Sequence, residues 1–206
     1  LSKTTAEDVM KSSEHRAKVP VQDIYTMLKT GEETGLSCVV TVKDLQNHFL
    51  SETSDVYLPV LLTQNNKTRL DGIGIFSNGK YVETLDESDT LGFLLVNDKV
   101  KTATVVLKDK NLNDLERGVA SKVNNDDIKR IEKLAKKKVR KIGLSAIQSC
   151  FDKKSDPFFA GKLLSRYSFD YYKKHSKTWR DELPEVDVSV TAYPKFSLIN
   201  GNYTRK

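Results

Sequence analysis

The residues of this 206-residue chain whose types could carry chemistry are three histidines, two cysteines, a paired-glycine stretch and one acidic cluster. His15, His48 and His175 fall on separate segments expected to be helical or to end helices. None has a cysteine or a second histidine at metal-ligand spacing, so a structural or solvent-facing role is expected for each. Cys38 and Cys150 also lack ligand spacing and lie far apart, and buried free thiols are expected. Gly35-Leu36-Ser37-Cys38 is similar in outline to a lipidation box, but no apolar region precedes it. No Gly-x-Ser-x-Gly nucleophile elbow occurs. Gly72-Ile73-Gly74 lacks the third glycine and the following helix of a dinucleotide loop, so its glycines are expected to permit close backbone approach or a bulge. Asp86, Glu87 and Asp89 are not at calcium-loop spacing, and Asp86 is accounted for as a helix cap. From these residues no catalytic group, metal site or cofactor is expected.

The one strong charge feature is a basic run. Lys129, Arg130, Lys133, Lys136, Lys137, Lys138, Arg140 and Lys141 fall within a single expected helix. At about 100° per residue they cover most of its non-apolar surface, and a solvated helix face is the simplest account. Of these, Lys133, Lys136, Lys137, Lys138, Arg140 and Lys141 are the candidates for contact with anionic headgroups or an acidic partner surface. Nucleic acid fits less well, because no aromatics interleave with the bases and no binding module is recognisable. Tyr171, Tyr172 and Trp179 could make a sugar- or peptide-binding platform, but such aromatics more often fill or edge a core.

The elements that must position these residues are legible from periodicity. A cap at Thr5 opens a helix to about Arg16. Pro20 suits the first turn of a second helix, in which Val21, Ile24, Tyr25 and Leu28 recur and Gly31 is the expected stop. Thr41 caps a third, with Val42, Leu45 and Phe49 on one face. Strand character follows over Val56–Leu62, where Pro59 argues for an edge or extended segment. It continues over Leu70–Phe76 and Lys80–Leu85, joined by the hairpin signal Asn78-Gly79; Tyr81 and Val82 are expected to pack on opposite faces. Asp86 caps a helix bearing Leu91, Phe93, Leu94 and Leu95, and Thr102–Leu107 alternates as a further strand, giving a ββαβ unit. Residues 108–124 read as a polar linker or a place where chain is missing. The longest helix, near 125–151, carries Ile128, Ile131, Ala135, Val139, Ile142, Ala146 and Cys150 as one apolar stripe, with acids at its start and bases further along to suit the helix dipole. Asp156-Pro157 is expected to start another helix with Phe158, Leu163, Leu164 and Tyr167 in the core. Ser176 is expected to cap a short turn carrying Trp179. Val186, Val188 and Val190 alternate as a half-buried strand, with Lys195–Ile199 beside it and a turn at Asn200-Gly201-Asn202.

The expected fold is therefore α+β, in three segments: residues 1–54 helical, 55–108 the ββαβ unit, and 109–206 a long helix plus sheet. Hydrophobic residues make up 38% and charged residues 30%, and the net charge is +6, a mildly basic balance that fits an anionic membrane, nucleic acid or an acidic partner without choosing among them. No apolar run reaches the roughly 20 residues that span a bilayer, and any signal or anchor is expected outside this chain.

Gly72-Ile73-Gly74-Ile75-Phe76, then Lys80-Tyr81-Val82, Leu85 and Leu91-Gly92-Phe93-Leu94-Leu95 resemble the middle domain of the Ger(x)C family, the C-subunit lipoproteins of spore germinant receptors. Tyr57-Leu58-Pro59-Val60-Leu61 resembles its Leu-Pro strand, and the helices around Ala6 and Leu28 resemble the end of its first domain. Ile147-Gln148, Asp156-Pro157-Phe158, Gly161, Trp179 and Val186-Asp187-Val188-Ser189-Val190 resemble its third domain, and Gly201 fits its closing glycine. Glu83 departs from the pattern, standing where a glycine is usual, and Phe159 stands where the family's Asp-x-Phe-Gly-x-Gly stretch has its first glycine. Residues 108–124 are also too short for the β-structure that usually opens the third domain. The resemblance implies a non-catalytic subunit at the spore inner membrane, held in the full protein by an outer-leaflet lipid anchor. Its implied partners are integral-membrane A and B subunits, with a role in germinant-triggered ion release. Two other functions have distinct requirements. A germinant-binding module needs a concave pocket with converging polar groups, and a cell-wall enzyme needs paired carboxylates or a metal facing a cleft.

Overall fold

Asn78 and Gly79 adopt φ of 50° and 73°, the pair of positive values a type I′ turn demands. They close the hairpin between β2 (Lys67–Ser77) and β3 (Lys80–Leu85). The structure, a computed structural model, describes residues 21–64, 67–101 and 125–192. β1 (Tyr57–Gln64) pairs antiparallel with β2 on its other side, so the sheet order is β1-β2-β3. Pro59, with no N–H to give, lies on β1 at the sheet edge and is followed by a register shift before Leu61. Among the described residues the segment is thus an edge strand, as Pro59 implies, and three strands precede the helix.

α1 (Val21–Thr34) runs past Gly31. It ends at Gly35, whose φ of 85° lets the Leu36 N–H return to the Gly31 carbonyl at 2.7 Å. Gly31 has a different purpose: a Cβ there would overlap the Leu70 side chain of β2. α2 (Val42–Phe49) starts in a complete capping box between Thr41 and Asp44. Its expected apolar face is reversed, with Val42 and Phe49 exposed and His48 buried.

Asp86 caps α3 (Glu87–Val96) by accepting from the Asp89 N–H at 2.7 Å. Gly72, at φ 86°, leaves room for the Leu85 carbonyl and the Thr90 hydroxyl, the close approach its sequence implied. Tyr81 and Val82 are both exposed on β3, Tyr81 resting edge-on against Phe76. α4 (Asn125–Asp152) lays its C-terminal half across α3. Ala135, Ile142, Ala146 and Cys150 of the stripe are buried. Its bases sit mid-helix and none in the last turn, so they do not complement the dipole there.

The following helix, α5 (Ala160–Tyr167), begins at Ala160 rather than at Asp156, and Leu163 and Tyr167 face solvent. α6 (Phe169–His175) and α7 (Trp179–Glu182) complete the helices, followed by a 3-10 turn at Leu183–Glu185. Thr178 takes the position before α7, and Ser176 ends α6 instead of capping the next turn. Residues 186–190 alternate in burial and pack on the core through Val186, Val188 and Val190, but no ladder forms there among the described residues. One cluster of buried residues joins all parts: Cys38, Tyr57, Ile73, Ile75, Phe93, Cys150, Phe151 and Trp179 belong to it. The architecture is α+β. The helix expected over 5–16, the strand over 102–107, the linker over 108–124, and the strand and turn over 195–202 lie outside the described residues.

Candidate functional site

α4 has 28 residues, a rod of about 42 Å. Residues 129–141 of it carry the basic run. Lys133, Lys136, Lys137, Lys138, Arg140 and Lys141 are all exposed, as are Lys129 and Arg130. By helical rotation most of them lie opposite Ala135, Ile142 and Ala146, with Lys138 at the flank. The seam toward α3 therefore turns this cationic stripe outward. It can attract anions, but it places no acid, base or nucleophile against another.

A second constellation, which the sequence pattern did not single out as a unit, lies where residues 51–55 meet the loop after α4. Asp55 and Asp156 are both buried and bind each other's backbone reciprocally. The Asp156 N–H donates to Asp55 Oδ2 and the Asp55 N–H to the Asp156 carbonyl, each at 3.0 Å. The Asp55 carboxylate also takes the Asn78 N–H at 2.8 Å and Arg180 Nε at 3.1 Å, while Arg180 Nη2 lies 3.1 Å from Oδ1. Asp156 accepts from the Ala160 N–H at 2.9 Å, the Gly161 N–H at 2.8 Å and Trp179 Nε1 at 3.0 Å. The first two donors are the open N–H groups of α5, whose own preceding residue, Phe159, has no side chain to cap them. Burial pushes the Asp156 carboxyl up from its ordinary range, and the three donors oppose that push. Two carboxylates do converge here, but each is saturated by structural donors and neither faces solvent.

His48 extends the node. Its Nδ1 lies 2.7 Å from Ser54 Oγ, and the Ser54 hydroxyl donates to the Asp156 carbonyl at 3.1 Å. Because that hydroxyl proton is committed, the imidazole is the donor in the pair. A nucleophilic serine would need the opposite direction. Burial lowers the His48 pKa; Asp44 and Asp55 oppose the shift and Lys162 adds to it. The native state thus refuses a proton that the unfolded chain accepts near pH 6.5. This contribution to stability is present above about pH 6.5 and is lost as the pH falls toward the depressed native value. Melting curves between about pH 7.5 and 5.5 should show Tm falling, and His48→Asn, which keeps a donor for Ser54, should flatten the decline. An equal slope in the variant would assign it to other groups.

A cleft of about 590 Å³ opens on the far side of the sheet, lined by Leu36, Arg69, Asp71, Gly72, Asp86 and Glu87 among others. Arg69 and Asp71, two residues apart on β2, pair with each other at 3.8 Å on its wall. Among the described residues no group of three or more His, Cys, Asp or Glu is arranged to hold a metal. None of the described helices is long and apolar enough to cross a membrane.

Comparison with known families matches residues 71–123 and 115–195 to the model described as spore germination B3/GerAC-like, C-terminal. The chain belongs to that family. No match was found among curated proteins or among solved structures. Membership makes the chain a spore germination protein of the germinant-receptor C-subunit type.

In this germination protein several of the residues that carried the resemblance sit where packing is closest. Asp156, Gly161 and Trp179 meet in the buried node, where a Cβ on Gly161 would come within 2.6 Å of Thr53 and 2.8 Å of Trp179 Nε1. Gly92 lets α3 press on the α4 backbone. Phe159, standing at a family glycine, has φ 59° and ψ 30°, a conformation that costs a non-glycine residue about 1 kcal/mol. Its ring stacks on His48 at 4.2 Å between centroids, and Lys162 Nζ lies 5.3 Å from that ring. Those contacts offset the strain. Of the aromatic trio, Trp179 is core, Tyr171 is exposed and stacks on His175, and Tyr172 is partly buried. Cys38 and Cys150 are buried free thiols, and burial raises both pKa values.

Proposed function

We propose that this chain is a non-catalytic scaffold or signal-relay component of a spore germinant receptor, working through surface complementarity. The family match over residues 71–195 carries the proposal. The engagement of Asp55, Asp156, His48 and Ser54 in structural bonds supports it, because it leaves none of these four to act on a ligand. The partners would be the integral-membrane A and B subunits and the anionic surface of the spore inner membrane, on whose outer leaflet a lipid anchor would hold the protein. The division into segments 1–54, 55–108 and 109–206 belongs to the same proposal. Affinity purification of the tagged protein from solubilised spore membranes, with crosslink mapping, tests it. The A and B subunits should co-purify. Recovery of an A–B pair without this chain would overturn the assignment.

The cationic stripe of α4 is proposed to orient the protein on anionic lipid or an acidic partner surface. The substitutions Lys136→Glu, Lys137→Glu and Lys138→Glu together should weaken association with anionic vesicles or the receptor about tenfold or more at low salt, as read by co-sedimentation or pull-down. Unchanged association at low salt would reject that role. The cleft beside Arg69 and Asp71 favours a second function, capture of a small zwitterionic germinant, since it offers concavity with an ion pair on its wall that such a ligand could exchange for its own charges. Calorimetry with amino acids, sugars and nucleosides separates the two functions, and heat from none of them would leave the scaffold.

A further inference from the structure

α6 has no buried residue. A helix of seven residues is far too short to be stable alone in water, yet this one holds Phe169 and Tyr171 into solvent. With α5 it forms a helical corner pivoting on Ser168, whose N–H returns to the Leu164 carbonyl at 2.8 Å and whose carbonyl accepts the Tyr172 N–H at 2.9 Å. On this corner Tyr167 is 85% exposed, Phe169 64%, Leu163 48% and Tyr171 45%. Leu163 and Tyr167, four residues apart on α5, share one face. Arg166, Lys173, Lys174 and Lys177, on the same two helices or just after them, are exposed as well, and Asp170 is the one acid within residues 160–177.

We infer that the α5–α6 corner is a second membrane-contact element, which seats its aromatic and leucine side chains at the headgroup level of an anionic bilayer. Charge complementarity selects this occupant. Exposed tyrosine and phenylalanine interspersed with lysine and arginine form the composition that binds where apolar chains meet anionic headgroups. The core of a protein interface, by contrast, is depleted in lysine. The inference rests on the membrane location proposed above but concerns a surface separate from α4. The two contribute differently: the α4 stripe offers charge alone, and the corner adds apolar insertion that salt does not screen.

Co-sedimentation of the full chain with phosphatidylcholine vesicles, with and without phosphatidylglycerol, tests it. Tyr167→Ser with Phe169→Ser, and separately Lys173→Glu with Lys174→Glu, change exposed side chains, and unchanged circular dichroism verifies the fold. Each pair should lower partition into the phosphatidylglycerol vesicles about tenfold. The serine pair should also abolish the binding that survives high salt in the parent protein. Parent-like partition of both corner variants, with loss confined to the α4 glutamate variant, would overturn the inference. So would failure of the parent protein to bind either vesicle, a result that leaves co-purification with the receptor subunits unaffected. Retained vesicle binding with lost receptor co-purification would also overturn it, assigning the corner to a protein partner instead.

Discussion

Replacing Asp156 with alanine should destabilise the protein by about 3–5 kcal/mol. The carboxylate is the acceptor for Ala160, Gly161 and Trp179. Truncation leaves these three donors buried, each an uncompensated desolvation of about 1–3 kcal/mol, reduced where the structure relaxes or water enters. Asp156→Asn separates the charge from the shape. It keeps one acceptor oxygen, which can serve Gly161 and Trp179, and turns an amide N–H₂ toward the Ala160 N–H. It also removes a charge whose burial is unfavourable, as the raised carboxyl pKa shows. Its loss should therefore be smaller than that of alanine. The sign of the pH dependence follows from the same shift. A native pKa above the unfolded value means that the folded state takes up the proton first, so this carboxyl's contribution to stability increases as pH falls through its native value. That trend opposes the His48 contribution, and the two separate in His48→Asn. Urea titrations of the two Asp156 variants are the measurement. A loss within about 1 kcal/mol for alanine would mean that the loop after α4 is held by apolar packing instead.

What the sequence made legible was local, and what it left hidden was long-range. The Asn78-Gly79 turn, the Thr41 box and the Asp86 cap need only a few neighbouring residues, and each stands where its residue types require. The α4 seam is equally local, because its stripe repeats over about six turns. The node was not legible in the same way. Asp55 and Asp156 are 101 residues apart and Asp55 and Arg180 are 125 apart, and nothing in either neighbourhood announces the other. A residual signal did exist: Asp156, Gly161 and Trp179 were all conspicuous as family positions, and a buried acid with an indole donor is one economical way to use them. The reversal of α2 shows the opposite failure. Val42, Leu45 and Phe49 have helical spacing, but His48 takes the buried place because Ser54 and the Phe159 ring satisfy it there. Periodicity identifies the helix and cannot say which side a tertiary partner will claim. Leu163 and Tyr167 of the α5–α6 corner, expected in the core, face solvent for the same reason.

Gly92→Ala puts two of these levels in direct conflict. Helix propensity alone favours alanine over glycine inside α3 by about 1 kcal/mol. The tertiary contact opposes it. A Cβ at residue 92 would overlap the Ile142 carbonyl oxygen and stand 2.9 Å from Ala146 Cβ. Backbone on a neighbouring helix cannot rotate aside as a side chain can. α3 and α4 would have to part, loosening Phe93 and Leu94 from the core they share with Ala146 and Cys150. A net loss of about 1–3 kcal/mol is expected for alanine and more for valine, or a fall in Tm of about 2–4 °C per kcal/mol in a chain of this size. Adding Ala146→Gly should recover only part of the loss, because it removes the Cβ contact and leaves the Ile142 overlap. A more stable Gly92→Ala protein would mean that the helices do not approach this closely. The consequence reaches function, because the same crossing sets the direction in which Lys136, Lys137 and Arg140 point. A variant that spreads α3 from α4 while staying folded should shift the salt dependence of vesicle binding without changing the charge of the protein.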